Sequence, residues 1–397
     1  MAATHGQVYI DTMTMRTKSD AGLLPSGEAS EPIETVERAI AELRRGAAVV
    51  VTAADSSGQI EAVLVRAAET VDTWPLPFFT HAGVGPLSLV VTGRRASILG
   101  LSEPTVRAVK LTSTQAFTPE HIRSLIDPQM EDARIPPPGI TAIAAPPHSA
   151  MDAAVRLTKI ARLLPAAVIA PLMVEVPAEW ARTTARFTVT AGAIENYDRA
   201  HADDLRPTSE AHVPLAGSKD TRIISFRPSD GGAEHLAIVV GKPDAQHPVL
   251  VRLHSECFTG DLLQSFRCDC GDQLRGAIDV LARENGGVLL YLAQEGRGIG
   301  LVNKLRAYTL QDRGFDTVDA NEQLGFDDDE RVYLPAVRML RHLGFTRVRL
   351  LTNNPAKVGA LARHGIDVVE RVAHTFPSNE HNWHYLQTKA KRSGHLF

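Results

Sequence analysis

Cysteine is scarce in this chain, with three in 397 residues. A small, odd number of cysteines argues against a disulfide framework and fits a reducing compartment in which thiols stay free. The chain has no unbroken apolar run long enough to span a bilayer. Its N-terminal stretch also lacks the charged-then-apolar pattern of a signal peptide. We therefore expect a cytoplasmic protein with no membrane partner.

The chain also lacks a strong excess of charge of either sign, because its formal net charge is −4. This balance gives no global attraction to nucleic acid, so a phosphorylated ligand would have to be held by local basic groups. At 397 residues the chain is too long for one ordinary core. We expect two domains, residues 1–205 and 206–397, of the α/β (α+β) class.

The three cysteines are clustered, since Cys257, Cys268 and Cys270 fall within one short segment. Thiolates at this C-x10-C-x-C spacing can surround one soft or borderline cation, and three protein ligands leave a fourth position open. An open position is typical of a catalytic site. The alternative is a set of buried free cysteines that act as small hydrophobes. The charged neighbours Arg267 and Asp269 favour the metal site.

In the first half, turn residues separate short β-rich runs. We expect residues 1–32 to form an extended arm and residues 136–147 to form a loop or linker. Helical spacing predicts helices at 34–45 and 151–164, and β-rich runs predict strands at 48–53, 61–67 and 87–93. This mixture predicts an α/β or α+β domain.

In the second half, the polar stretch 206–219 marks the expected domain junction. A strand at 249–253 leads into the cysteine segment, and a helix follows at 271–282. A second strand at 287–293 runs into a glycine-rich turn at 294–300 and a helix at 301–313. Strand, glycine-rich turn and helix can hold a phosphate, although such a turn is often only a turn.

Two later segments add charged groups. Five carboxylates between Glu322 and Glu330 precede Arg331, which suggests that one acid is held against a base instead of lying in water. A final strand, loop and helix places Thr352 and Lys357 near a helix N-terminus, where they suit phosphate.

The second half contains an ordered series of motifs that includes R-x-H-S-E-C-x-T-G-D, R-C-D-C-G-x-Q-L, Q-E-G-R-x-I-G-L, L-L-T-N-N-P-x-K-V and, near the C-terminus, Y-L-x-T-K. By this series it resembles the GTP cyclohydrolase II family. This resemblance implies that the three cysteines bind one zinc ion per chain. It implies that Asp329 is a proton acceptor, Arg331 a nucleophile toward the α-phosphate, and Tyr308 an essential tyrosine. The nucleotide contacts that it implies are Arg252, His254, Ser255, Glu256, Gln273, Glu295, Gly296, Arg297, Thr317, Thr352 and Lys357.

Beyond the expected arm, the first half begins with a helix followed by V-V-V and contains the runs QIEAVLVRAAE, FFTHAGVGPLSLVVTG and HSAMDAAVRLTKIARLLPAAVIA. By these runs it resembles a dihydroxybutanone phosphate synthase domain that has lost its chemistry. His148 is present, but Ser149 and Ala150 stand where that family has Thr and Glu. The acid-rich metal loop of that family is replaced by A-D-S-S-G-Q at 54–59. Without these carboxylates little is left to hold Mg²⁺. We expect this half to be a scaffold, partner or regulatory domain.

Together the two resemblances imply a zinc-dependent cyclohydrolase that opens the base ring of a nucleoside triphosphate, with Mg²⁺ able to accompany the triphosphate. A degenerate first half joined to an intact second half is similar to the uracil-catabolism paralogue, which favours UTP. The alternatives are GTP, as in riboflavin biosynthesis, and a non-catalytic nucleotide sensor. We expect a homodimer.

Overall fold

The computed structural model describes residues 33–54, 57–73, 83–130, 135–229, 231–284, 286–375 and 392. The expected N-terminal arm lies outside the described residues, as do Asp55, Ser56 and the Y-L-x-T-K segment near the C-terminus. No helix within the described ranges is long and apolar enough to cross a membrane.

Seven strands of the first half form one sheet in the order β5-β4-β3-β6-β2-β1-β7. Strands β1 and β7 pair in parallel, while the other neighbouring strands pair antiparallel. The β-branched runs of the central strands are buried on both faces because helices cover the sheet. The strands are β1 Val49–Ala54, β2 Ile60–Ala67, β3 Ser88–Thr92, β4 Ala108–Ser113, β5 Ile140–Ala144, β6 Ala166–Pro171 and β7 Phe187–Thr190.

Six helices accompany this sheet, and four of them begin at a Ser or Thr whose hydroxyl accepts a backbone N–H. Helices α1, α4 and α6 contribute apolar side chains to one face of the sheet. The helices are α1 Ile33–Arg44, α2 Gly93–Ile98, α3 Pro119–Ile126, α4 Ala150–Ile160, α5 Pro177–Thr183 and α6 Ala191–Asp203.

The second half forms a mixed sheet in the order β14-β13-β11-β12-β10-β9-β8. Strands β12, β11, β13 and β14 pair in parallel, and β8, β9, β10 and β12 pair antiparallel. The strands are β8 Arg206–His212, β9 Thr221–Arg227, β10 His235–Gly241, β11 Val249–Ser255, β12 Gly286–Leu292, β13 Arg347–Leu351 and β14 Asp367–Val372. The helices are α7 Cys270–Arg283, α8 Leu301–Asp312, α9 Thr317–Gln323, α10 Leu334–His342 and α11 Pro355–Arg363. The expected α/β (α+β) class is confirmed. The resemblance of the second half to its family also implies a mixed sheet with flanking helices, and the structure shows one.

One expectation of irregular structure is wrong, because strand β5 lies inside the expected loop at 136–147. The expected junction at 206–219 contains strand β8. Both are edge strands, and their residues are half-buried or exposed, with β8 exposed throughout. Backbone pairing to β9 holds β8 in place, and its exposed, polar sequence has no apolar face that could have indicated a strand. Ile140 and Ala142 of β5 do pack on an apolar core, but the prolines on both sides of this strand favoured a loop. Helix α4 also ends at Ile160, earlier than expected, and Arg162 then adopts a left-handed φ of 58°.

One apolar core is shared between the two halves. It contains Leu89 and Val91 of β3 together with Leu310 of α8, Leu324 and Phe326. Helices α8 and α9 therefore pack on the first sheet, although they follow strand β12 of the second. The domain boundary at 205/206 coincides with the start of β8 and stays a prediction.

Gly325 lies beside this shared core, where the two halves approach each other closely. Its φ is +89°, and a Cβ at this position would lie 2.9 Å from Thr92 Oγ1 and 3.0 Å from Pro165 Cγ. The Thr92 hydroxyl donates a hydrogen bond of 2.7 Å to the Gly325 carbonyl. The turn after α9 can therefore approach the first sheet only without a side chain at residue 325.

We predict that Gly325→Ala destabilises the protein more than Gly314→Ala does. Gly314 also follows a helix with a positive φ of +96°, but no atom lies within 4 Å of the position that a Cβ would take there. Gly314→Ala, the control, should lower the free energy of unfolding by ~1–2 kcal/mol, because alanine adopts a left-handed backbone less readily than glycine. Gly325→Ala should cost a further ~1–3 kcal/mol for the steric overlap. Urea denaturation measures both, and equal losses would show that the two halves are not closely docked at this turn.

Candidate active site

The predicted site residues converge on one pocket at the carboxyl ends of the parallel strands β11, β12 and β13. Open α/β sheets commonly bind ligands at this edge. Of the predicted site residues, Asp329 is the one that does not line the pocket. Those that do are Arg252, His254, Ser255, Glu256, Cys257, Cys268, Cys270, Gln273, Glu295, Gly296, Arg297, Tyr308, Thr317, Arg331, Thr352 and Lys357.

The three cysteine sulfurs form a compact cluster. Cys257 follows β11, Cys268 lies before α7 and Cys270 begins α7, and their Sγ atoms all lie within 4.8 Å of one another. The Sγ atoms of Cys257 and Cys268 are 3.7 Å apart. A tetrahedral zinc with Zn–S bonds of ~2.3 Å requires sulfurs about 3.8 Å apart. The cluster can therefore hold a metal ion.

Gly260 shapes the space beside these sulfurs. A Cβ on Gly260 would lie 2.7 Å from Cys268 Sγ and 3.0 Å from Cys257 Sγ. Residues 258–262 form one π-helical turn that wraps around the cluster. The glycine lets this turn approach the sulfurs closely, so the residues present fit a bound metal.

A lysine from α8 sits against the cluster. Lys304 Nζ lies 3.1 Å from Cys257 Sγ, 3.0 Å from Thr259 Oγ1 and 2.9 Å from Glu295 Oε1. Hydrogen bonds from Cys268 and Cys270, together with the ammonium group of Lys304, lower the pKa of Cys257. Burial would lower the pKa of Lys304, but the negative charges on Cys257 and Glu295 outweigh it and raise that pKa. Lys304 is therefore a permanent cation beside the sulfurs.

A second buried network anchors the start of the cysteine segment. Asp261 accepts hydrogen bonds from His254 Nε2 at 3.0 Å, Tyr291 Oη at 2.9 Å and Cys257 N at 2.9 Å. Burial lowers the pKa of His254, although Asp261 opposes this shift. His254 is thus neutral, and its buried Nδ1 has no hydrogen-bond partner among the described residues.

Two acids line the pocket, and their surroundings differ. Glu295 is buried, and its carboxylate accepts from Phe258 N at 2.7 Å, Gly296 N at 2.8 Å and Lys304. Both oxygens of Glu295 thus hold protein groups in place. The carboxylate of Glu256 has no hydrogen-bond partner within the described part of the chain. Burial, and then the nearby charge of Glu295, raise the pKa of Glu256.

The glycine-rich turn has a backbone that ordinary residues avoid. Gly296 and Arg297 are both left-handed, with φ of 64° and 61°. A left-handed arginine is strained, and such strain is common at functional sites. The Arg297 guanidinium contacts the Asp328 carboxylate and donates to the Asp328 carbonyl at 3.2 Å. The turn therefore places a cation on the pocket wall.

The acidic segment before α10 supplies a second arginine. Arg331 lines the pocket, and its Nε donates to Asp329 Oδ1 at 2.7 Å and its Nη2 to Asp329 Oδ2 at 2.5 Å. Burial would raise the pKa of Asp329, but the bonds and charge of Arg331 outweigh it and lower that pKa. Asp329 therefore stays ionised and fixes the direction of the Arg331 guanidinium.

The far wall is built from buried polar groups on β11, α7 and the start of α11. Arg252 donates to the Leu351 carbonyl at 3.0 Å and to Gln273, and burial lowers the pKa of Arg252 to about 10. Lys357 Nζ donates to the Leu253 carbonyl at 2.7 Å. Thr352 caps the following turn by accepting from Asn354 N at 3.0 Å.

Tyr308 and Thr317 complete the lining on the side of α8 and α9. The Tyr308 hydroxyl lies 3.4 Å from Thr259 Oγ1, and burial raises the pKa of Tyr308. Arg267 lies over its ring at 4.9 Å from the centroid. Thr317 begins α9 and receives a long contact of 3.5 Å from Gln311.

Sequence reasoning missed Lys304 as part of the site, and it gave no role to Thr259 or Asp261, although both stand in the motif around Cys257. Lys304 is 47 positions from Cys257 and carries no motif of its own, so only the packing of α8 reveals their contact. Asp261 is close to Cys257 in sequence, but its partners His254 and Tyr291 come from two different strands. The available signal for Lys304 was its position one turn before Tyr308 on the predicted helix, which places both residues on the same helix face.

Comparisons with known proteins agree with this geometry. A family model described as GTP cyclohydrolase II matches residues 206–373. A GTP cyclohydrolase-2 from Azospirillum brasilense is 53% identical over 396 residues, which cover 98% of this chain and 100% of the relative. A GTP cyclohydrolase-2 from Xylella fastidiosa is 38% identical over 90% of this chain and 86% of the relative. The riboflavin biosynthesis protein RibBA of Bacillus cereus is 37% identical over 91% of this chain and 98% of the relative.

The pocket and these relatives define an enzyme of the hydrolase class, a cyclohydrolase. The chain belongs to the GTP cyclohydrolase II family. The names of these relatives do not extend to the uracil-catabolism paralogue, so that narrower resemblance stays a prediction.

We predict that the cysteine cluster binds about one zinc ion per chain and that Gly260 is needed for it. Cys268→Ser should lose the metal because a ligand is removed, while secondary structure persists because the apolar cores lie elsewhere. Gly260→Ala should also lower the metal content, because the added methyl group overlaps two sulfurs. Metal analysis of the purified variants, with circular dichroism, measures both effects.

Gly192→Ala is the matched control, since only Thr190 Oγ1 lies near its Cβ position, at 4.0 Å. Its metal content should equal that of the unmodified protein. Full zinc occupancy in Cys268→Ser would show that the cluster is not the metal site.

Proposed function

We propose that the protein is a zinc-dependent GTP cyclohydrolase II, which opens the guanine ring of GTP and releases formate and pyrophosphate. The observation that carries this proposal is the 53% identity to a GTP cyclohydrolase-2 along nearly the whole chain, together with a three-cysteine cluster inside the pocket. The expectation of UTP from sequence is less well supported, because the relatives bear names of GTP and riboflavin enzymes.

The free carboxylate of Glu256 supports guanine over uracil. Guanine presents two adjacent donors, the N1–H and the N2 amine, which match the two acceptor oxygens of a carboxylate. Uracil presents one N–H between two carbonyl oxygens, and a carboxylate would repel both. Leaving such groups unpaired costs ~1–3 kcal/mol each. We therefore assign Glu256 to recognition of the guanine edge.

Cys257, Cys268 and Cys270 would hold the zinc ion. When bound, zinc supplies Lewis acidity that activates a water molecule toward an electrophilic ring carbon. Lys304 offsets part of the negative charge of three thiolates, and Gly260 leaves the space that the sulfurs need. We assign proton exchange with the nucleotide's base to the Tyr308 hydroxyl, which lies 3.4 Å from Thr259 Oγ1.

The cationic wall suits a triphosphate. Arg297, Arg331 and Lys357 lie around the pocket, and planar arginine forks match phosphate oxygens. Mg²⁺ can accompany the triphosphate. A guanidinium stays protonated, so we assign Arg331 to stabilising phosphate charge and Asp329 to orienting it. A nucleophilic Arg331 and a proton-accepting Asp329, which the family resemblance implies, are less compatible with this tight ion pair.

The retained catalytic groups favour an enzyme over a nucleotide sensor, as does membership of a hydrolase family. The cytoplasmic location and the homodimer expected from the sequence stay predictions.

We predict that GTP releases formate and pyrophosphate while UTP is turned over slowly or not at all. Formate detection and mass spectrometry of the products, with each nucleoside triphosphate in turn, measure this. Loss of the uracil absorbance from UTP, with GTP untouched, would reverse the substrate assignment.

We also predict that Glu256→Gln raises the KM for GTP by about tenfold, equivalent to ~1.4 kcal/mol, because one acceptor on the guanine edge becomes a donor.

A further inference from the structure

The acidic turn, residues 325–331, is held from two sides. Asp328 and Asp329 contact the pocket arginines Arg297 and Arg331. Their flanking neighbours Asp327 and Glu330 instead bind cations of the first half. The carboxylates of one short turn thus connect the first half with the catalytic pocket.

Lys159 of α4 makes the central contact on the side of the first half. Its Nζ lies 2.7 Å from Glu330 Oε1 and 3.3 Å from Asp327 Oδ2. Glu330 Oε1 also accepts from Asp327 N at 2.8 Å, so Lys159 closes a loop of hydrogen bonds across the turn. The side chains of Lys159 and Glu330 are each about 21% exposed, which shields this pair from solvent more than an ordinary surface pair.

Arg94 of α2 adds a second connection. It donates to Asp327 Oδ1 at 3.1 Å and to Glu322 Oε1 of α9 at 3.2 Å. The backbone of the same segment is fixed by the hydrogen bond from Thr92 to Gly325 and by the burial of Phe326. The turn is therefore attached to the first half by apolar packing, by a backbone contact and by two cations.

The other side of the acidic turn is attached to the glycine-rich turn, residues 294–300. Glu330 N donates to the Arg297 carbonyl at 3.0 Å, and a Cβ on Gly298 would lie 2.8 Å from the Glu330 carbonyl. Displacement of Glu330 would therefore move Arg297 as well as Arg331. A misplacement of about 1 Å at a reacting centre can cost ~100-fold in rate.

We propose that the first half serves the reaction as an internal brace, in which Lys159 is a positioning residue that fixes the acidic turn and thereby Arg297 and Arg331. This gives a catalytic purpose to a synthase-like domain whose own metal-binding acids are missing. A partly exposed ion pair contributes modestly to stability, so we expect the loss of Lys159 to change mainly the geometry of the acidic turn. The proposal rests on the proposed function for its kinetic test and not for its structural one.

The structural test is hydrogen exchange of the peptide that spans the acidic turn in full-length protein. Lys159→Met should increase exchange there at least several-fold, whereas Lys159→Arg, which can keep both ion pairs, should not. The control is Arg123→Met, whose exposed partners Asp72 and Glu120 both belong to the first half. Unchanged hydrogen exchange of the acidic turn in Lys159→Met would overturn the proposal that the first half braces this turn. Should that variant fail to fold, Arg94→Met takes its place in the comparison.

The kinetic test compares kcat and KM for GTP in the same variants. Lys159→Met should lower kcat by about 10- to 100-fold with a smaller change in KM, because it displaces groups that act on developing charge. Glu330→Gln should lower kcat similarly, and the double variant should be little worse than either single variant. Lys159→Arg and Arg123→Met should retain kcat within about twofold.

The outcomes separate the two proposals. An unmodified protein that does not act on GTP would refute the proposed function, and the exchange comparison would still decide the brace. A Lys159→Met variant with normal kcat would overturn the brace, as would a lowered kcat without faster exchange of the turn.

Discussion

The rest of the structure depends on the packing of α8 and α9 against the first sheet. Leu310, Leu324 and Phe326 are buried in a core with strand β3, and this burial fixes how the second half lies on the first. The same two helices bring Lys304, Tyr308 and Thr317 to the pocket. A change in this apolar contact would therefore move groups on one entire wall of the active site.

The chemistry of the pocket follows from placing charges where water is scarce. An unpaired buried charge is costly, so most charged groups in the pocket have partners, and these partners also fix their orientation. Lys304 lies between Cys257 and Glu295, Asp329 holds Arg331, and Asp261 holds His254. Glu256 is the pocket acid without such a partner among the described residues, and this freedom is what recommends it for binding the substrate base.

Much of this could be predicted from sequence, and the exceptions have physical reasons. Ordered motifs placed the cysteines and the residues predicted to contact phosphate near strand ends, where parallel pairing brings them together. The edge strand β5 was missed because the prolines on both sides of it favoured a loop. The edge strand β8 could not be predicted, because backbone pairing and not apolar burial holds it. Nor could the contact of Lys159 with Glu330, 171 positions away, since nothing in either segment indicates its partner. Glu295 is expected from its motif to contact the nucleotide, but its oxygens hold the protein's own groups.

The most direct test of the account is a zinc titration of chelator-treated protein, with bound metal and formate release from GTP measured on the same samples. The account predicts that the rate rises in proportion to bound zinc and stops rising at about one ion per chain, because one three-cysteine site serves each pocket. A formate release rate that is independent of bound zinc, or a metal-loaded protein that leaves GTP intact, would contradict it.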